Sequence, residues 1–172
     1  ETGAVNIVSE GSGDSGDKSS MTIQTEPGVE GAVVTATGTD ASGGSFKVEG
    51  DGSSVTITKE GGQQTVMSGE NTQMPENFPE DAPTYPGLTL NLASADTAES
   101  VFSIQGTTAD AMASVADTLK KAAVDKGWKE TMNMSQGEEM TMLAYEKEGR
   151  TLNIMVIKDG EATTVQITVA KQ

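Results

Sequence analysis

Short runs in which apolar and polar residues alternate, separated by glycine-rich turns, fill the chain from Met21 to Met67. Alternation with a period of two places successive side chains on opposite faces of a β-strand, and the Thr and Val of these runs favour strands. The runs begin roughly every 9–13 residues, which is typical of a meander or a thin stack of strands. The pattern predicts a short-stranded all-β region over residues 21–73, without a helix.

Residues 1–20 are rich in Gly, Ser and Asp and show little periodicity, which predicts a flexible leader. Within this leader, the apolar tract Val5–Val8 is suited to forming an edge strand. The acidic loop Gly13–Asp17 offers oxygen atoms to calcium but lacks EF-hand spacing, so we interpret it as a solvated turn. The sequence leaves open whether Glu1-Thr2-Gly3 is native, and no argument uses it.

A proline-rich segment, residues 74–87, contains four of the five prolines of the chain. Each proline removes a backbone donor and pushes the preceding residue towards an extended conformation. The segment is therefore expected to be a semi-rigid connector between the all-β region and the rest of the chain. Phe78 and Tyr85 are expected to pin it against a neighbouring surface, because large aromatic side chains are mostly buried.

Residues 88–172 contain the clearest helical pattern, an apolar stripe at helical spacing over Ala109–Lys126. Thr107 and Asp110 have the spacing of a capping box, Asp110 and Lys126 suit the helix dipole, and Gly127 is a natural stop. Alternating runs predict strands before and after it, in the order β-β-α-β-β-β-β. The predicted strands are Leu88–Ala93, Val101–Gln105, Lys129–Met134, Met140–Lys147, Thr151–Lys158 and Thr163–Ala170.

One amphipathic helix is able to cover one face of a single antiparallel sheet, which is a two-layer α+β arrangement. The predicted fold class is therefore α+β: an α+β domain over residues 88–172, preceded by the connector and by the small all-β region rich in Gly and Thr. The ligand of such a domain is expected in the groove between helix and sheet or on an edge strand. A fully packed interface between helix and sheet would argue against the groove as the position of the ligand.

Charge and residue types exclude several classes of function. The chain has 26 acidic and 11 basic residues, a net charge of −15, and neither His nor Cys. The charge argues against nucleic acid as a partner, and no apolar run is long enough for the chain itself to insert into a membrane. Without His and Cys there is no thiol nucleophile, imidazole base, Cys-rich zinc site or disulfide.

The connector carries a resemblance. Together with the following strand pair, the helix and Gly127-Trp128, it resembles an uncharacterised group of bacterial exported proteins often described as lipoproteins. The matching residues are Phe78, Pro79, Asp81, Pro83, Tyr85, Pro86, Gly87, Gly127 and Trp128. The resemblance implies an extracytoplasmic location, in the periplasm or at the cell surface, with membrane attachment through a lipidated N-terminal cysteine that is absent from this sequence. It implies no activity and no catalytic residue.

Four methionines form the most unusual local feature. Met132 and Met134 precede a predicted hairpin turn, and Met140 and Met142 follow it. Residues i and i+2 of a strand share a face, so all four thioethers could converge. Soft thioether sulfur selects Cu(I). The interpretation that we prefer places these side chains in the core beneath the helix, where Met fills irregular space; an exposed cluster would instead form an adaptable apolar binding surface.

Adjacent carboxylates occur at Glu80-Asp81 and Glu138-Glu139, but both pairs lie in predicted turns and are expected by chance among so many acids. No catalytic residue, cofactor-binding residue or metal ligand is assigned, and no cofactor is expected. The predicted function is a non-enzymatic, exported cell-envelope module that binds or assembles with a protein or a small ligand of unknown identity. The alternatives are a methionine-rich protein that handles Cu(I) or Ag(I), and a structural stalk that displays the C-terminal domain.

Overall fold

The structure is a computed structural model. It describes the backbone of residues 5–12, 18–26, 33–39, 44–50, 54–59 and 64–172, and the side chains of residues 35–39, 44–50, 56–59 and 64–172. Glu1-Thr2-Gly3 and the loop at residues 13–17 lie outside the described residues. The chain divides into two compact units, Glu1–Thr72 and Gln73–Gln172, which are called the N-terminal and the C-terminal unit below.

The N-terminal unit is an antiparallel meander in which each strand pairs with the next. Its strands are β1 (Val5–Ser12), β2 (Lys18–Glu26), β3 (Val33–Thr39), β4 (Ser45–Gly50), β5 (Ser54–Lys59) and β6 (Gln64–Gly69). β1 and the start of β2 fall within the range predicted to be a flexible leader, and β1 includes the tract Val5–Val8. Ala36 is the one buried apolar residue among the described side chains of this unit, so its visible core is small.

The C-terminal unit contains one sheet of six antiparallel strands and one helix. The elements are β7 (Thr89–Asp96), β8 (Val101–Thr108), α1 (Met112–Asp125), β9 (Lys129–Gln136), β10 (Met140–Lys147), β11 (Arg150–Asp159) and β12 (Ala162–Lys171). Across the sheet the order is β7-β8-β12-β11-β10-β9, so the last strand of the chain lies at the centre and β9 at an edge. The element order is the one expected from the sequence.

The fold class predicted from the sequence, α+β, is wrong. In the described part of the chain almost all regular structure is strand, and α1, with 14 residues, is the one helix. A helix of this length extends about 21 Å, and it packs on β9, β10 and β11 rather than on the whole sheet. The protein is therefore mostly β, with a single short helix. That helix is too short to cross a membrane.

The helix begins later than expected. Its N-cap is Ala111, whose side chain makes no capping hydrogen bond, and no acidic residue lies in the first turn. The expected capping box does not form, because Thr107 lies in β8 and Asp110 precedes the N-cap residue. The Oδ2 atom of Asp110 instead accepts a hydrogen bond from the Tyr85 hydroxyl at 2.7 Å. Nor does Lys126 lie in the last turn, since it is the C-cap residue. Gly127 follows with φ of +81°, the left-handed conformation that ends a helix.

The helix side of the sheet, called the helix face below, holds the core of the unit. Val115, Leu119 and Ala123 of α1 are completely buried. On the same side of the sheet lie alternating strand residues that are all 6% exposed or less: Ile104, Thr141, Leu143, Tyr145, Leu152, Ile154, Val156, Thr163, Val165, Ile167 and Val169. The helix is closely packed on the sheet from Val115 to Ala123, which argues against a ligand groove along the middle of the helix.

The connector lies against the C-terminal unit, where five residues form an arrangement called the clasp below. The Asp81 carboxylate accepts two hydrogen bonds from Arg150, at 2.9 and 2.6 Å, and one from Lys147 at 2.8 Å. The indole Nε1 of Trp128 donates to the Asp81 carbonyl at 2.6 Å. Lys126 Nζ donates to the carbonyls of Glu80 and Ala82. The clasp, Asp81, Lys126, Trp128, Lys147 and Arg150, therefore fixes the connector through both side chain and backbone.

Tyr145 lowers the stability of the helix face, because its hydroxyl is buried without a hydrogen-bond partner among the described residues. Burial, with a smaller contribution from Glu130, raises the pKa of this phenol to about 12. A buried hydroxyl without a partner costs about 1–3 kcal/mol. We therefore expect Tyr145→Phe to raise the free energy of unfolding by about 1 kcal/mol in urea titrations.

The same substitution should change the alkaline limb of the stability profile. A pKa raised by folding means that the contribution of Tyr145 is complete below about pH 10 and is lost as the pH rises towards 12. The phenylalanine variant should lose less stability over that interval than the wild type. A loss of 1 kcal/mol or more at neutral pH would instead show that the hydroxyl has a partner in solution.

Candidate functional site

The face of the C-terminal sheet opposite the helix, called the open face below, is built from the residues that alternate with the core. Strand pairing aligns them into four rows that run across all six strands. The row at one end, Lys129-Glu146-Thr151-Ala170-Val101-Asp96, contains three charged residues; the other three rows are called the neutral rows below. In strand order from β9 to β7, the neutral rows are Gln136-Met140-Ile157-Thr164-Thr107-Thr89, Met134-Met142-Met155-Gln166-Gln105-Leu92 and Met132-Ala144-Asn153-Thr168-Ser103-Ser94.

None of the residues in the neutral rows is charged. These rows contain 18 positions, three rows of six, and a chain that is 22% charged would place about four charges there. The polar residues at its centre partly satisfy one another, since the hydroxyls of Ser103 and Thr168 are 3.0 Å apart and hydrogen-bonded. Three adjacent neutral rows in a strongly acidic protein are suited to contact with an uncharged or apolar surface.

Five of the nine methionines lie on the β9 side of this face. The middle row places Met134 directly opposite Met142, and Met142 directly opposite Met155; these three residues are called the methionine row below. Met132 and Met140 are diagonal neighbours of Met142 and Met134, respectively. Directly opposite residues in antiparallel strands have Cβ atoms about 4.5–5.5 Å apart, so the three thioethers lie within reach of one another.

These side chains are accessible. Met132 and Met134 are each 42% exposed, whereas Met140, Met142 and Met155 are half-buried. A shallow depression of about 260 Å³ lies among them, and its wall includes Met132, Met142, Met155, Asn153, Gln166 and Thr168. The depression has the size of one or two side chains rather than of a whole ligand, which is smaller than a typical small-molecule pocket of about 300–1,000 Å³.

Strand β9 borders the methionines and is exposed along its whole length of eight residues. It pairs with β10 on one side, and no other described strand pairs with its outer side. The pairing shifts by one residue: Ala144 lies opposite Met132, but Tyr145 lies opposite Glu130, so Thr131 is the extra residue of a β-bulge. On the N-terminal side of the bulge Glu130 lies on the helix face, and on its C-terminal side Met132 and Met134 lie on the open face.

The bulge explains why the preferred interpretation of the methionines is wrong. Trp128, at the entrance to β9, is buried, and simple alternation from it would place residues 130, 132 and 134 beneath the helix. The extra residue reverses the alternation, so the methionines lie on the open face and not in the core. The four do share one face, as the i and i+2 spacing predicts. Met155 was missed, because its place beside Met142 depends on which strand pairs with β10.

The carboxylate pairs do not form a site. Glu138 and Glu139 are exposed in the β9–β10 turn, and Asp81 is neutralised within the clasp. A cavity of about 590 Å³ at the N-terminal end of α1 is lined by Asp110, Glu138, Lys158 and Glu161 among others. No group of three acidic side chains in the described part of the chain is placed to hold a metal ion.

No protein-family model matches the chain, and no curated protein or solved structure is significantly similar to it. The resemblance of the connector to bacterial exported proteins therefore stays a prediction. The functional argument depends on the geometry of the open face and of strand β9.

Proposed function

We propose that the chain is a non-enzymatic binding or assembly module that takes up an extended, uncharged segment of a partner protein along β9. The observation that carries the proposal is that β9 is an exposed edge strand beside neutral rows rich in methionine. An edge strand presents a row of backbone N–H and C=O groups with which a further strand is able to pair.

The open face supplies the side-chain part of this recognition. A segment paired with β9 places every second side chain on the same face as Met132 and Met134. Methionine adapts to different apolar shapes because it is unbranched and polarisable. A charged side chain at that position would lose water without gaining a partner, since the neutral rows that contain Met132 and Met134 have no charged residue. The expected partner segment is therefore extended, with uncharged side chains on alternate positions.

The proposal includes an extracytoplasmic location, in the periplasm or at the cell surface, with attachment by a lipid anchor. Its support is the connector sequence around Phe78–Gly87 and the Gly127-Trp128 pair. In the folded chain these residues have structural roles, because Asp81 and Trp128 belong to the clasp and Tyr85 binds Asp110. A shared connector would therefore indicate a shared fold of the C-terminal unit.

A strand-forming peptide tests the proposal. The probe is a ten-residue peptide of alternating Thr and Val, with blocked ends and a neutral fluorophore, titrated with the full chain by fluorescence anisotropy. We expect saturable binding with a Kd of about 10–100 µM, as for a modest interface of one added strand. A peptide with Pro at its centre should not bind, because Pro interrupts strand pairing.

Variants locate the interaction. The double variant Met132→Lys, Met134→Lys places two charges along β9 and should weaken peptide binding at least tenfold. The matched control is Val124→Lys on α1, which changes an apolar residue that is 56% exposed on a different surface. Equal affinity of the double variant and the wild type, or no saturable binding to either, would contradict the proposal.

A further inference from the structure

We propose that the methionine row binds a soft monovalent metal ion, Cu(I) or Ag(I), through the thioether sulfurs of Met134, Met142 and Met155. The three residues occupy directly opposite positions on three adjacent strands, β9, β10 and β11. The inference uses the open face but does not depend on uptake of a partner segment. The three ligands differ from the four methionines noted in the sequence, because Met155 is included and Met132 and Met140 are not.

The strand register brings the sulfur atoms together without movement of the backbone. Neighbouring Cβ atoms in the row are about 4.5–5.5 Å apart. Each sulfur lies two bonds beyond its Cβ, on a side chain with three rotatable bonds. Rotamer changes alone therefore allow Met134 and Met155, on either side, to approach the sulfur of Met142 above the middle strand. Met132 and Met140, the diagonal neighbours, flank the row and are placed to supply a fourth ligand.

The chemistry of the row favours a soft ion. Thioethers are soft, uncharged ligands that select Cu(I), whereas Ca²⁺, Mg²⁺ and Mn²⁺ prefer oxygen ligands. The neutral rows in which the methionines lie contain no carboxylate, so a hard cation finds no charged oxygen there. The chain has no His and no Cys, so no softer or stronger ligand competes with the row elsewhere. The net charge of −15 raises the local concentration of cations around the protein.

Exposure of the row makes exchange of the ion possible. Met134 is 42% exposed, while Met142, at the centre, is half-buried between its neighbours. A site of this kind loads and unloads without unfolding, because one ligand remains at the surface. It is therefore suited to transient carriage of an ion rather than to permanent storage.

Ag(I) is the probe, because it has the ligand preference of Cu(I) and needs no reductant. The full chain, labelled with ¹³C at the methionine methyl groups, is titrated with silver nitrate in chloride-free buffer and followed by NMR and calorimetry. We expect one equivalent to bind with micromolar or tighter affinity and to shift the methyl signals of Met134, Met142 and Met155. Signals of Met112 on α1 and of Met67 and Met74 should not move. Shifts confined to methionines outside the open face would overturn the assignment.

The variant Met142→Leu removes the central sulfur and keeps an apolar side chain of similar volume. It should weaken Ag(I) binding at least tenfold, whereas the control Met112→Leu should leave it unchanged. Unchanged affinity in Met142→Leu would overturn the metal site. The two proposals fail separately: peptide binding without Ag(I) binding leaves the strand-uptake function standing, and Ag(I) binding without peptide binding leaves the metal site standing.

Discussion

Replacing Asp81 with Asn is expected to lower the free energy of unfolding of the C-terminal unit by about 2–3 kcal/mol, because hydrogen bonds to charged groups contribute about 1.5–3 kcal/mol each in net terms. The carboxylate is 29% exposed and receives three such bonds, from Arg150 and Lys147. Its loss leaves these two cations facing each other beside the ring of Trp128, which lies 5.2 Å from the Arg150 guanidinium carbon. The fluorescence of Trp128, the only tryptophan of the chain, measures the loss in urea titrations.

The pH dependence of stability provides an independent check. Hydrogen bonds and charge pairing with Arg150, followed by those with Lys147, hold the pKa of Asp81 well below its usual range. A pKa lowered by folding means that the stabilisation is complete above about pH 4 and is lost as the pH falls further. The difference in stability between the wild type and Asp81→Asn should therefore shrink below pH 4.

Glu148 supplies the matched control. It also approaches Arg150, at 3.8 Å, but its side chain is 77% exposed. Glu148→Gln should change the free energy of unfolding by less than about 0.5 kcal/mol, as is usual for exposed ion pairs. If Asp81→Asn and Glu148→Gln unfold at the same urea concentration, the clasp makes no special contribution to stability.

The second large effect is expected for Gly106→Ala in β8. A Cβ atom at this position would lie 2.5 Å from the carbonyl oxygen of Thr89 and 2.8 Å from Cγ of Leu88. The oxygen belongs to the backbone and cannot rotate away, so the start of β7 would have to move. We expect a loss of about 2–3 kcal/mol in urea titrations, at the upper end of the range for overpacked cores.

Two further variants separate steric conflict from backbone preference. Gly160 has φ of +62° in the β11–β12 turn, and no atom lies within 4 Å of the position that a Cβ atom would occupy there. Gly160→Ala should therefore lose only about 1 kcal/mol, the cost of a left-handed conformation for an L-residue. Adding Leu88→Ala to Gly106→Ala should restore a part of the loss at most, because the Thr89 carbonyl remains. Full recovery would show that the side chain, not the backbone, causes the conflict.

Local alternation was sufficient to predict the strands of the C-terminal unit, their order and the position of the helix. The fold class was wrong because the sequence pattern does not show how much sheet one helix has to cover. The capping box at Thr107 and Asp110 was wrong because the helix begins beyond both residues, and the Asp110 carboxylate binds Tyr85, 25 residues earlier in the chain. Such partners are distant in sequence, and no local pattern indicates them.

The candidate site was predicted in part. The spacing of Met132, Met134, Met140 and Met142 correctly indicated that they share a face. Which face this is could not be derived, because a β-bulge has no reliable signature in a polar strand that lacks glycine. Met155 joins them through the pairing of β10 with β11, which is a property of the sheet and not of either strand alone.

Thr131 thus gives β9 one residue more than the segment of β10 with which it pairs. Its deletion would join Glu130 directly to Met132, whose partners Tyr145 and Ala144 are already adjacent, so β9 would pair with β10 in unbroken alternation. Met132 and Met134 would stay on the open face, and both proposed binding activities would survive the loss of the bulge.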